Sequence, residues 1–200
     1  HFANQNSVDS PETDLEVNGL GTLRLLEYAR LARTPSFVFA SSGCSVYGSQ
    51  APLPLKEDFV SIHLDTPYQI TKLLGELYCN FFHNQYGMPV AIARYFNVFG
   101  PRQDPEGAYA AVIPRWIGVM LQGGQARIYG DGETSRDFCY IQNAVQANLL
   151  AATAQDPGAV DQVYNVAFGA RTTLNDLFRL IRERVAMARP DLGREEIAAL

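Results

Sequence analysis

Two continuous apolar runs, separated by one helix-length segment, constrain the fold of this chain more than any other sequence feature. The runs are SFVFASS (36–42) and PVAIARYF (89–96), and such runs are typical of strands buried on both faces of a parallel sheet. The segment between them is predicted to contain a helix that starts after a proline, extends to Tyr86 and is closed by Gly87. This alternation of helix and apolar strand predicts an α/β fold with a doubly wound parallel sheet.

Further elements are predicted on either side of this core. Ser10-Pro11 is a helix start, and that helix is expected to run to about Arg33. Its inward positions are predicted to include Leu15, Leu23, Leu26 and Ala29. The later elements are predicted as a helix near 109–122, short strands at ARIYG (126–130) and DFCYI (137–141), a helix near 142–153, a strand at 162–168, and a helix capped by Thr172 that ends near Ala188.

Composition and charge exclude several function classes. Two hundred residues suit one domain, with room for a small additional lobe. The formal net charge of −5 argues against a protein that binds nucleic-acid backbones. No apolar run approaches the roughly 20 residues of a membrane span, and no signal peptide is evident. We therefore expect a cytoplasmic protein with no nucleic-acid or membrane partner, and the histidines and cysteines show no metal-ligand spacing.

Tyr68 and Lys72 are the first pair of residues with a chemical use. They stand four apart, so they share one face of the predicted helix. A tyrosine has an ordinary pKa of about 10, and lowering it to about 7 requires roughly 4 kcal/mol of preferential stabilisation of the phenolate. An ammonium group one turn away is the kind of charge that favours the phenolate. Taken alone, however, so short a pattern favours a packed tyrosine beside a solvated lysine.

The context of this pair is two serines at the end of the preceding strand. Ser41 and Ser42 close the run 36–42, and ligands of open α/β sheets bind at the carboxyl ends of the strands. A serine hydroxyl there can polarise a substrate hydroxyl or carbonyl while Tyr68 transfers the proton. Serine, tyrosine and lysine in this order therefore form a candidate set for proton transfer.

This set resembles the Ser–Tyr–Lys triad of the short-chain dehydrogenase/reductase superfamily. The motifs FVFASSGCSVYG, TPYQITKLLGELY, ARYFNVFGPRQ and IYGDGETSRDFCYI are similar to the extended branch, the NAD-dependent epimerase/dehydratase family, as are HFA and EVNGLGTLRLLEYAR. The stretch RYFNVFGPRQDPEGAYAAVIPRW looks closest to the UDP-N-acetylglucosamine 4-epimerases. The resemblance implies a Rossmann-like sheet, NAD as cofactor, and epimerisation of a UDP-sugar (UDP-N-acetylglucosamine or UDP-glucose) at C4 through a 4-keto intermediate.

The resemblance also implies roles for individual residues. Ser42, or failing it Ser41, is expected to polarise the sugar O4, Tyr68 to act as acid and base, and Lys72 to hold the nicotinamide ribose. The other residues expected to bind the cofactor are Phe2, Ala3, Asn18, Ser41, Tyr95 and Phe96. The residues expected to bind the substrate are Ser42, Asn97, Ala111, Val112, Tyr129 and Arg136.

Two of the substrate residues have alternative interpretations. The resemblance implies that Tyr129 stacks on the uracil, although core packing of a short strand would also explain it. It implies that Arg136 clamps the diphosphate, for which a guanidinium has bidentate geometry. The alternative for Arg136 is a surface ion pair with Asp131 or Asp137.

Two further functional hypotheses stay open. One is a dehydratase, decarboxylase or reductase of the same family, although the Thr-Asp-Glu sequence typical of its dehydratases is replaced here by SSGCS. The other is a truncated, non-catalytic remnant, because the sequence contains no glycine-rich turn between a strand and a helix. We therefore expect a fragment whose sheet is incomplete at its start and whose C-terminal end is also missing.

Domain organisation and assembly follow from the same resemblance. Residues 1–96 are predicted to form the remaining part of the NAD-binding domain. Residues 97–200 are predicted to form mostly a small interleaved substrate-binding lobe, with the strand near 162–168 returning to the sheet. A homodimer is expected through the helices near 11–33 and 67–86. Its candidate contacts are Tyr78, Phe81 and Phe82, for which burial under the protein's own loops is the alternative.

Overall fold

The computed structural model describes residues 4–106 and 111–191, and the chain divides into two compact units. Unit 1 comprises His1–Phe96 and Gln142–Ala167, and unit 2 comprises Asn97–Ile141 and Phe168–Leu200. The assignment of a cofactor role to one part of the chain and a substrate role to the other stays a prediction.

Unit 1 contains a parallel sheet of three strands in the order β1-β2-β6. These strands are β1 (Phe37–Ser42), β2 (Val90–Tyr95) and β6 (Gln162–Val166). In their register Ser42 lies opposite Tyr95, and Tyr95 lies opposite Val166, so the three carboxyl ends meet at one edge of the sheet. The first five residues of β2 are buried, as its continuous apolar run predicted. The same prediction is wrong for β1, in which only Phe39 and Ser41 are buried and Ala40 is exposed, because β1 lies at the edge of the described sheet. The parallel sheet confirms the predicted α/β fold class.

The long helix of unit 1 is fixed at both ends by its own sequence. It is α4 (Pro67–Tyr86), which has the predicted bounds. At its start, the Thr66 side chain accepts a hydrogen bond from the Gln69 amide, and the Gln69 side chain accepts one from the Thr66 amide. At its end, Gly87 adopts a φ of 64°, which only glycine adopts without strain. The buried face of α4 packs into an apolar cluster composed of Leu26, Phe39, Cys79, Phe82, Met88, Val90 and Ile92.

The segment predicted as one helix from Ser10 to Arg33 is interrupted by a π turn. Its elements are α1 (Asn4–Asp9), which precedes the predicted start, α2 (Pro11–Asp14), the π turn (Leu15–Leu20) and α3 (Gly21–Leu31). Because a π turn is wider than an α turn, it changes which residues face inward. Leu26 is fully buried as predicted, and Leu23 and Ala29 pack against the same cluster. Leu15 is 54% exposed, so its predicted inward position is wrong.

Unit 2 is organised around two amphipathic helices, α5 (Val112–Leu121) and α7 (Leu174–Ala188). Their apolar faces meet, and the rings of Trp116 and Phe178 pack edge to face with centroids 5.7 Å apart. The short strands are β3 (Asn97–Phe99), parallel to β5 (Phe138–Tyr140), and β4 (Ser135–Arg136), antiparallel to β7 (Thr172–Thr173). After β5 the chain enters α6 (Ile141–Thr153).

The strand predicted at ARIYG (126–130) is not formed. This segment is irregular apart from a single bridge residue. The indole Nε1 of Trp116 donates a hydrogen bond of 3.1 Å to the Arg127 carbonyl, which holds the segment against α5. Two of the apolar residues that predicted a strand, Ala126 and Ile128, instead pack into the helical core of unit 2.

Two predicted helix starts in unit 2 also shift. The helix predicted near 109–122 begins at Val112. The last helix is capped by Thr173 rather than Thr172, because the Thr173 hydroxyl accepts a hydrogen bond of 3.1 Å from the Asp176 amide.

Gly75 of α4 is required by the close approach of Phe39 on β1, because a Cβ at position 75 would lie 2.2 Å from Phe39 Cζ. Gly75→Ala is expected to lower the free energy of unfolding by about 1–3 kcal/mol, despite the better helix propensity of alanine. Gly21→Ala is the matched control, because a Cβ there meets only the Glu16 carbonyl at 3.6 Å. The control should be neutral or stabilising by up to about 1 kcal/mol. Urea unfolding measures both changes, and equal stability of the two variants would contradict this account.

Candidate active site

The predicted catalytic residues of unit 1 lie on two elements that pack against each other, β1 and α4. Ser42 is the last residue of β1, and α4 lies against this strand. Lys72 Nζ on α4 donates a hydrogen bond of 3.0 Å to the Ala40 carbonyl of β1. The same Nζ lies 5.6 Å from the centroid of the Tyr68 ring, one helical turn away. Lys72 thus connects the strand that ends in Ser42 with the helix that carries Tyr68.

The ammonium group of Lys72 is partly buried, and burial lowers its pKa. The negative charge of Asp14 offsets part of this effect. The Ala40 carbonyl and the ring of Phe39, whose centroid lies 5.6 Å from Nζ, also stabilise the positive charge. A cation held in this way can stabilise negative charge on a neighbouring oxygen.

The two serines that were predicted as alternatives differ in their surroundings. Ser41 is buried, and its hydroxyl donates a hydrogen bond to the Glu76 carboxylate. Ser42 is partly exposed, and its Oγ lies 2.9 Å from the hydroxyl of Ser45. Two hydroxyl groups can exchange donor and acceptor roles, whereas a hydroxyl that binds a buried carboxylate is committed as a donor. The surroundings therefore favour Ser42 as the hydroxyl available to a ligand.

Gly43 allows the turn after Ser42 to pack directly on Phe96. A Cβ at position 43 would lie 2.3 Å from Phe96 Cε2. The Gly43 amide also donates a hydrogen bond of 2.9 Å to the Tyr95 carbonyl. Tyr95 and Phe96, which were predicted to line the cofactor, therefore lie next to the turn that carries Ser42.

Tyr95 is a second tyrosine at this edge of the sheet. Burial raises the pKa of its phenol, and a hydrogen bond with Asn148 offsets part of that rise. A phenol with a raised pKa stays protonated at neutral pH and is a poor base. Tyr95 is therefore suited to a wall of the site rather than to proton transfer.

A buried ion pair lies beneath this edge. Arg94 of β2 and Glu76 of α4 form two hydrogen bonds, Nε to Oε1 at 3.0 Å and Nη2 to Oε2 at 2.8 Å. Both side chains are almost completely buried. Since Glu76 also accepts the hydrogen bond from Ser41, the pair connects α4 to both β1 and β2.

The remaining donors of Arg94 hold the loop that follows the turn. Nη1 lies 3.0 Å from the Glu57 carbonyl and 3.1 Å from the Phe59 carbonyl. It also donates to the Tyr47 hydroxyl at 3.0 Å, and that hydroxyl donates at 2.7 Å to Asn165 Oδ1, which lies in β6. One guanidinium thus connects all three strands of the sheet with the loop around residues 57–59.

Asn18, another predicted cofactor residue, lies in the π turn, and such turns are frequent at functional sites. Its Nδ2 donates a hydrogen bond of 2.9 Å to Asp14 Oδ1. The Thr71 hydroxyl donates one of 2.6 Å to Asp14 Oδ2. Asn18 is therefore connected through Asp14 to the residue that precedes Lys72. Phe2 and Ala3, the other predicted cofactor residues, lie outside the described residues.

The substrate residues predicted after position 96 lie on separate segments of unit 2. Asn97 begins β3, with Phe138 as its partner in the parallel ladder. Ala111 is the N-cap of α5, and Val112 is its first residue. Tyr129 lies in the irregular segment held by Trp116, and Arg136 lies in β4. All five residues belong to unit 2, and their roles in substrate binding stay predictions.

Tyr129 and Arg136, for which core packing and an ion pair were the alternatives, are both exposed at the surface. Tyr129 is 83% exposed, so core packing does not explain this aromatic residue. Arg136 is exposed, and its Nη1 donates to the Ser135 carbonyl at 2.8 Å. The carboxylate of Asp137 accepts hydrogen bonds from the Phe168 and Gly169 amides, and thereby fixes the turn before β7.

Four residues around the candidate site escaped the sequence analysis, namely Asp14, Ser45, Glu76 and Arg94. Glu76 could have been found, because it follows Tyr68 and Lys72 at the same spacing of four and shares their helix face. Arg94 could have been found as a charge inside a buried strand, since such a charge is almost always paired. Asp14 and Ser45 carry no comparable signal in the sequence.

In residues 4–106 and 111–191, no group of three or more His, Cys, Asp or Glu side chains could hold a metal ion. None of the helices described there combines the length and apolarity that crossing a membrane requires.

The different surroundings of Ser41 and Ser42 predict different effects on stability. Ser41→Ala removes a hydrogen bond to a buried carboxylate and should lower the free energy of unfolding by about 1.5–3 kcal/mol. Ser42→Ala, its matched control, removes only a bond between two hydroxyls and should cost about 1 kcal/mol or less. Urea unfolding of both variants measures the difference. A larger loss for Ser42→Ala than for Ser41→Ala would reverse the assignment.

Comparison with known proteins places this site in a family context. Residues 2–167 match the model of the NAD dependent epimerase/dehydratase family. The chain is similar to a putative UDP-glucose 4-epimerase from Methanocaldococcus jannaschii, with 39% identity over 181 residues. That alignment covers 90% of this chain and 57% of the relative.

Solved structures show the same relationship. The chain superimposes on the epimerase Mth375 from Methanothermobacter thermautotrophicus with a TM-score of 0.89 and 42% identity, covering 100% of this chain and 56% of that protein. It matches a UDP-N-acetylglucosamine 4-epimerase from Methanobrevibacter ruminantium, in complex with UDP-N-acetylmuramic acid, with a TM-score of 0.85 and 36% identity, covering 99% and 60%. The chain thus spans somewhat more than half the length of these proteins. With its Rossmann-like fold, it belongs to the NAD dependent epimerase/dehydratase family, whose cofactor is NAD.

Proposed function

We propose that this protein epimerises a UDP-linked sugar at C4. The observation that carries the proposal is the position of Lys72, which binds the Ala40 carbonyl two residues before Ser42 and lies one turn from Tyr68. The arrangement provides a proton carrier, a cation and a hydroxyl at one sheet edge. The 4-epimerase names of the similar proteins support the choice of reaction.

The proposed reaction assigns a separate task to each residue. Tyr68 takes the proton from the sugar O4 hydroxyl and returns it after the 4-keto sugar has turned over. Lys72 stabilises the Tyr68 phenolate through its positive charge. Ser42 polarises O4 by a hydrogen bond, and Ser45 orients the Ser42 hydroxyl across their contact of 2.9 Å. Because proton and hydride are both returned, the reaction has no net redox change.

The residues at this edge fit one half of NAD. Lys72 has three N–H donors, of which one binds Ala40, so the others suit the hydroxyls of the nicotinamide ribose. Tyr95, Phe96 and Asn18 are the further residues proposed to line the cofactor. The described ranges contain no glycine-rich strand-to-helix turn for the pyrophosphate. When NAD is bound, it supplies the hydride acceptor and donor for C4.

UDP-N-acetylglucosamine and UDP-glucose are the proposed substrates, in keeping with the names of the similar epimerases. The exposed ring of Tyr129 is suited to stacking on uracil, and the guanidinium of Arg136 to the diphosphate. Asn97 and the Ala111–Val112 backbone are proposed to contact the nucleotide sugar as well.

Dehydration of a nucleotide sugar is an alternative reaction, since the family name includes dehydratases. The turn that follows Ser42 does not favour this reaction. Loss of water from a sugar requires an acid and a base in addition to the tyrosine. The turn after Ser42 provides Gly43, Cys44 and Ser45, none of which is a carboxylic acid. Decarboxylation or reduction of a nucleotide sugar would be detected by product analysis, as would the inactivity expected of a non-catalytic remnant.

Replacement of Tyr68 by phenylalanine tests the proposed mechanism. With NAD and a UDP-hexose present, wild-type protein should interconvert the C4 epimers, as measured by NMR of the products. Tyr68→Phe removes the proton carrier with little change in volume, and should lower kcat by about 10²–10⁴-fold. Tyr164→Phe is the matched control, because Tyr164 lies in β6 and its hydroxyl donates to the Ala159 carbonyl in the short 3-10 turn before that strand. A Tyr68→Phe protein with near wild-type activity, or wild-type protein that removes water or carbon dioxide, would contradict the proposal.

The proposal extends to a homodimer formed through α3 and α4. The three aromatic residues predicted as candidate contacts differ in exposure. Phe82 is buried in the core, Tyr78 packs against that core, and only Phe81 of the three is exposed. Both helices nevertheless expose large apolar side chains, namely Leu25, Tyr28 and Leu31 on α3 and Ile70, Leu77 and Phe81 on α4. Exposed apolar patches of this kind are typical of protein interfaces.

A charge on this face should separate the dimer. Leu77→Glu places a carboxylate among the apolar side chains and should shift the protein from dimer to monomer in light scattering, because an unpaired charge is costly inside an interface. Ile62→Glu is the control, since Ile62 is just as apolar and more exposed but lies in the loop before α4. A wild-type monomer, or equal dissociation of both variants, would be incompatible with this interface.

A further inference from the structure

Asp14 is a fully buried acidic residue to which the proposed mechanism assigns no task. It ends α2, immediately before the π turn, and its exposed fraction is 0%. Burying a carboxylate is costly unless hydrogen bonds and an opposite charge compensate for the lost hydration. The surroundings of Asp14 therefore indicate what this charge does.

The two carboxylate oxygens of Asp14 have different partners. Oδ2 accepts the hydrogen bond of 2.6 Å from Thr71, which directly precedes Lys72 on α4. Oδ1 accepts the hydrogen bond of 2.9 Å from Asn18 in the π turn. The π turn itself packs on α4, since a Cβ on Gly19 would lie 3.3 Å from a Leu74 methyl. Asp14 is thus held against the first turns of α4, beside the stretch that carries Tyr68 and Lys72.

Three elements face the ammonium group of Lys72. From β1 it receives the Ala40 carbonyl and the Phe39 ring, which are uncharged. On α4 the titratable neighbours are Tyr68 and Glu76, and the Glu76 carboxylate is already bound by Arg94. From α2 comes Asp14, whose negative charge raises the pKa of Lys72 against the larger, opposite effect of burial.

We infer that Asp14 is a positioning residue that, through Thr71, fixes the helix of the catalytic pair to the π turn and places a buried negative charge beside Lys72. Asp14 acts on proton transfer through Lys72 and does not itself contact a reacting atom. Its relevance to proton transfer rests on the proposed function. The electrostatic connection between Asp14 and Lys72 is a property of the folded chain, and it can be tested without catalysis.

The experiment uses the unusually low lysine content of the chain, whose only lysines are Lys56 and Lys72. Protein labelled with ¹³C at the lysine ε-carbon gives two signals, and Lys56→Arg assigns them. Asp14→Asn keeps the shape and an acceptor for Thr71 but removes the charge. The Lys72 signal should then titrate at lower pH than in wild type, while the Lys56 signal keeps its midpoint.

The matched control is Glu12→Gln, which removes an exposed negative charge from the same short helix. It should leave the Lys72 titration unchanged, because solvent screens an exposed charge. An unchanged Lys72 midpoint in folded Asp14→Asn protein, or an equal shift in both variants, would overturn the inference. Inactive wild-type protein would overturn the proposed function but leave this titration result unaffected.

A reciprocal variant covers the case in which Asp14→Asn does not fold. Lys72→Met removes the ammonium and should leave the Asp14 carboxylate buried without its counter-ion. Adding Asp14→Asn to Lys72→Met should then restore part of the lost Tm, because the second substitution removes the carboxylate charge that Lys72 balances. A double variant no more stable than Lys72→Met alone would show that Asp14 and Lys72 do not interact.

Discussion

The ion pair between Arg94 and Glu76 is the interaction on which the geometry of the candidate active site depends. A buried pair is stable only when the remaining donors and acceptors are also satisfied. Here the guanidinium binds both carboxylate oxygens, the Tyr47 hydroxyl and two loop carbonyls, and the carboxylate also accepts from Ser41. Because these partners come from different elements, the demand for hydrogen bonds fixes the elements relative to one another.

The consequence for α4 is a polar attachment to the sheet along one helix face. Tyr68, Lys72 and Glu76 are spaced by four residues, and the latter two bind β1 at Ala40 and Ser41. Further along the helix, apolar packing around Cys79 and Phe82 stabilises the fold. Apolar packing is less directional than hydrogen bonding, so it does not fix the distance between the helix and the sheet edge. The same helix therefore combines a polar half that sets geometry with an apolar half that anchors the fold.

The sequence predicted well those features that local patterns determine. The bounds of α4 follow from its proline, its capping residues and Gly87, and the buried strand β2 follows from its continuous apolar run. Patterns with more than one explanation misled, as in ARIYG, where apolar residues pack on a helix instead of forming a strand. The π turn was also missed, because Leu15–Leu20 has the composition of an ordinary helix.

The residues of the candidate site could be predicted from the sequence, whereas most of the contacts between them could not. Tyr68 and Lys72 share a helix face by spacing alone. The distinction between Ser41 and Ser42 depends on Glu76, which is 35 residues away from Ser41, and the position of Asp14 depends on Thr71, which is 57 residues away. No local pattern encodes such pairings, because they arise only when the chain has folded.

The contact between Gly43 and Phe96 has a consequence for how sequences of this kind can diverge. The aromatic ring occupies the space that any side chain at position 43 would need. A serine or threonine at that position would require the ring to shift or a smaller residue at position 96. The side chains of the turn and the side chain that directly follows β2 are therefore coupled, and we expect homologous turns to differ at these two positions in concert.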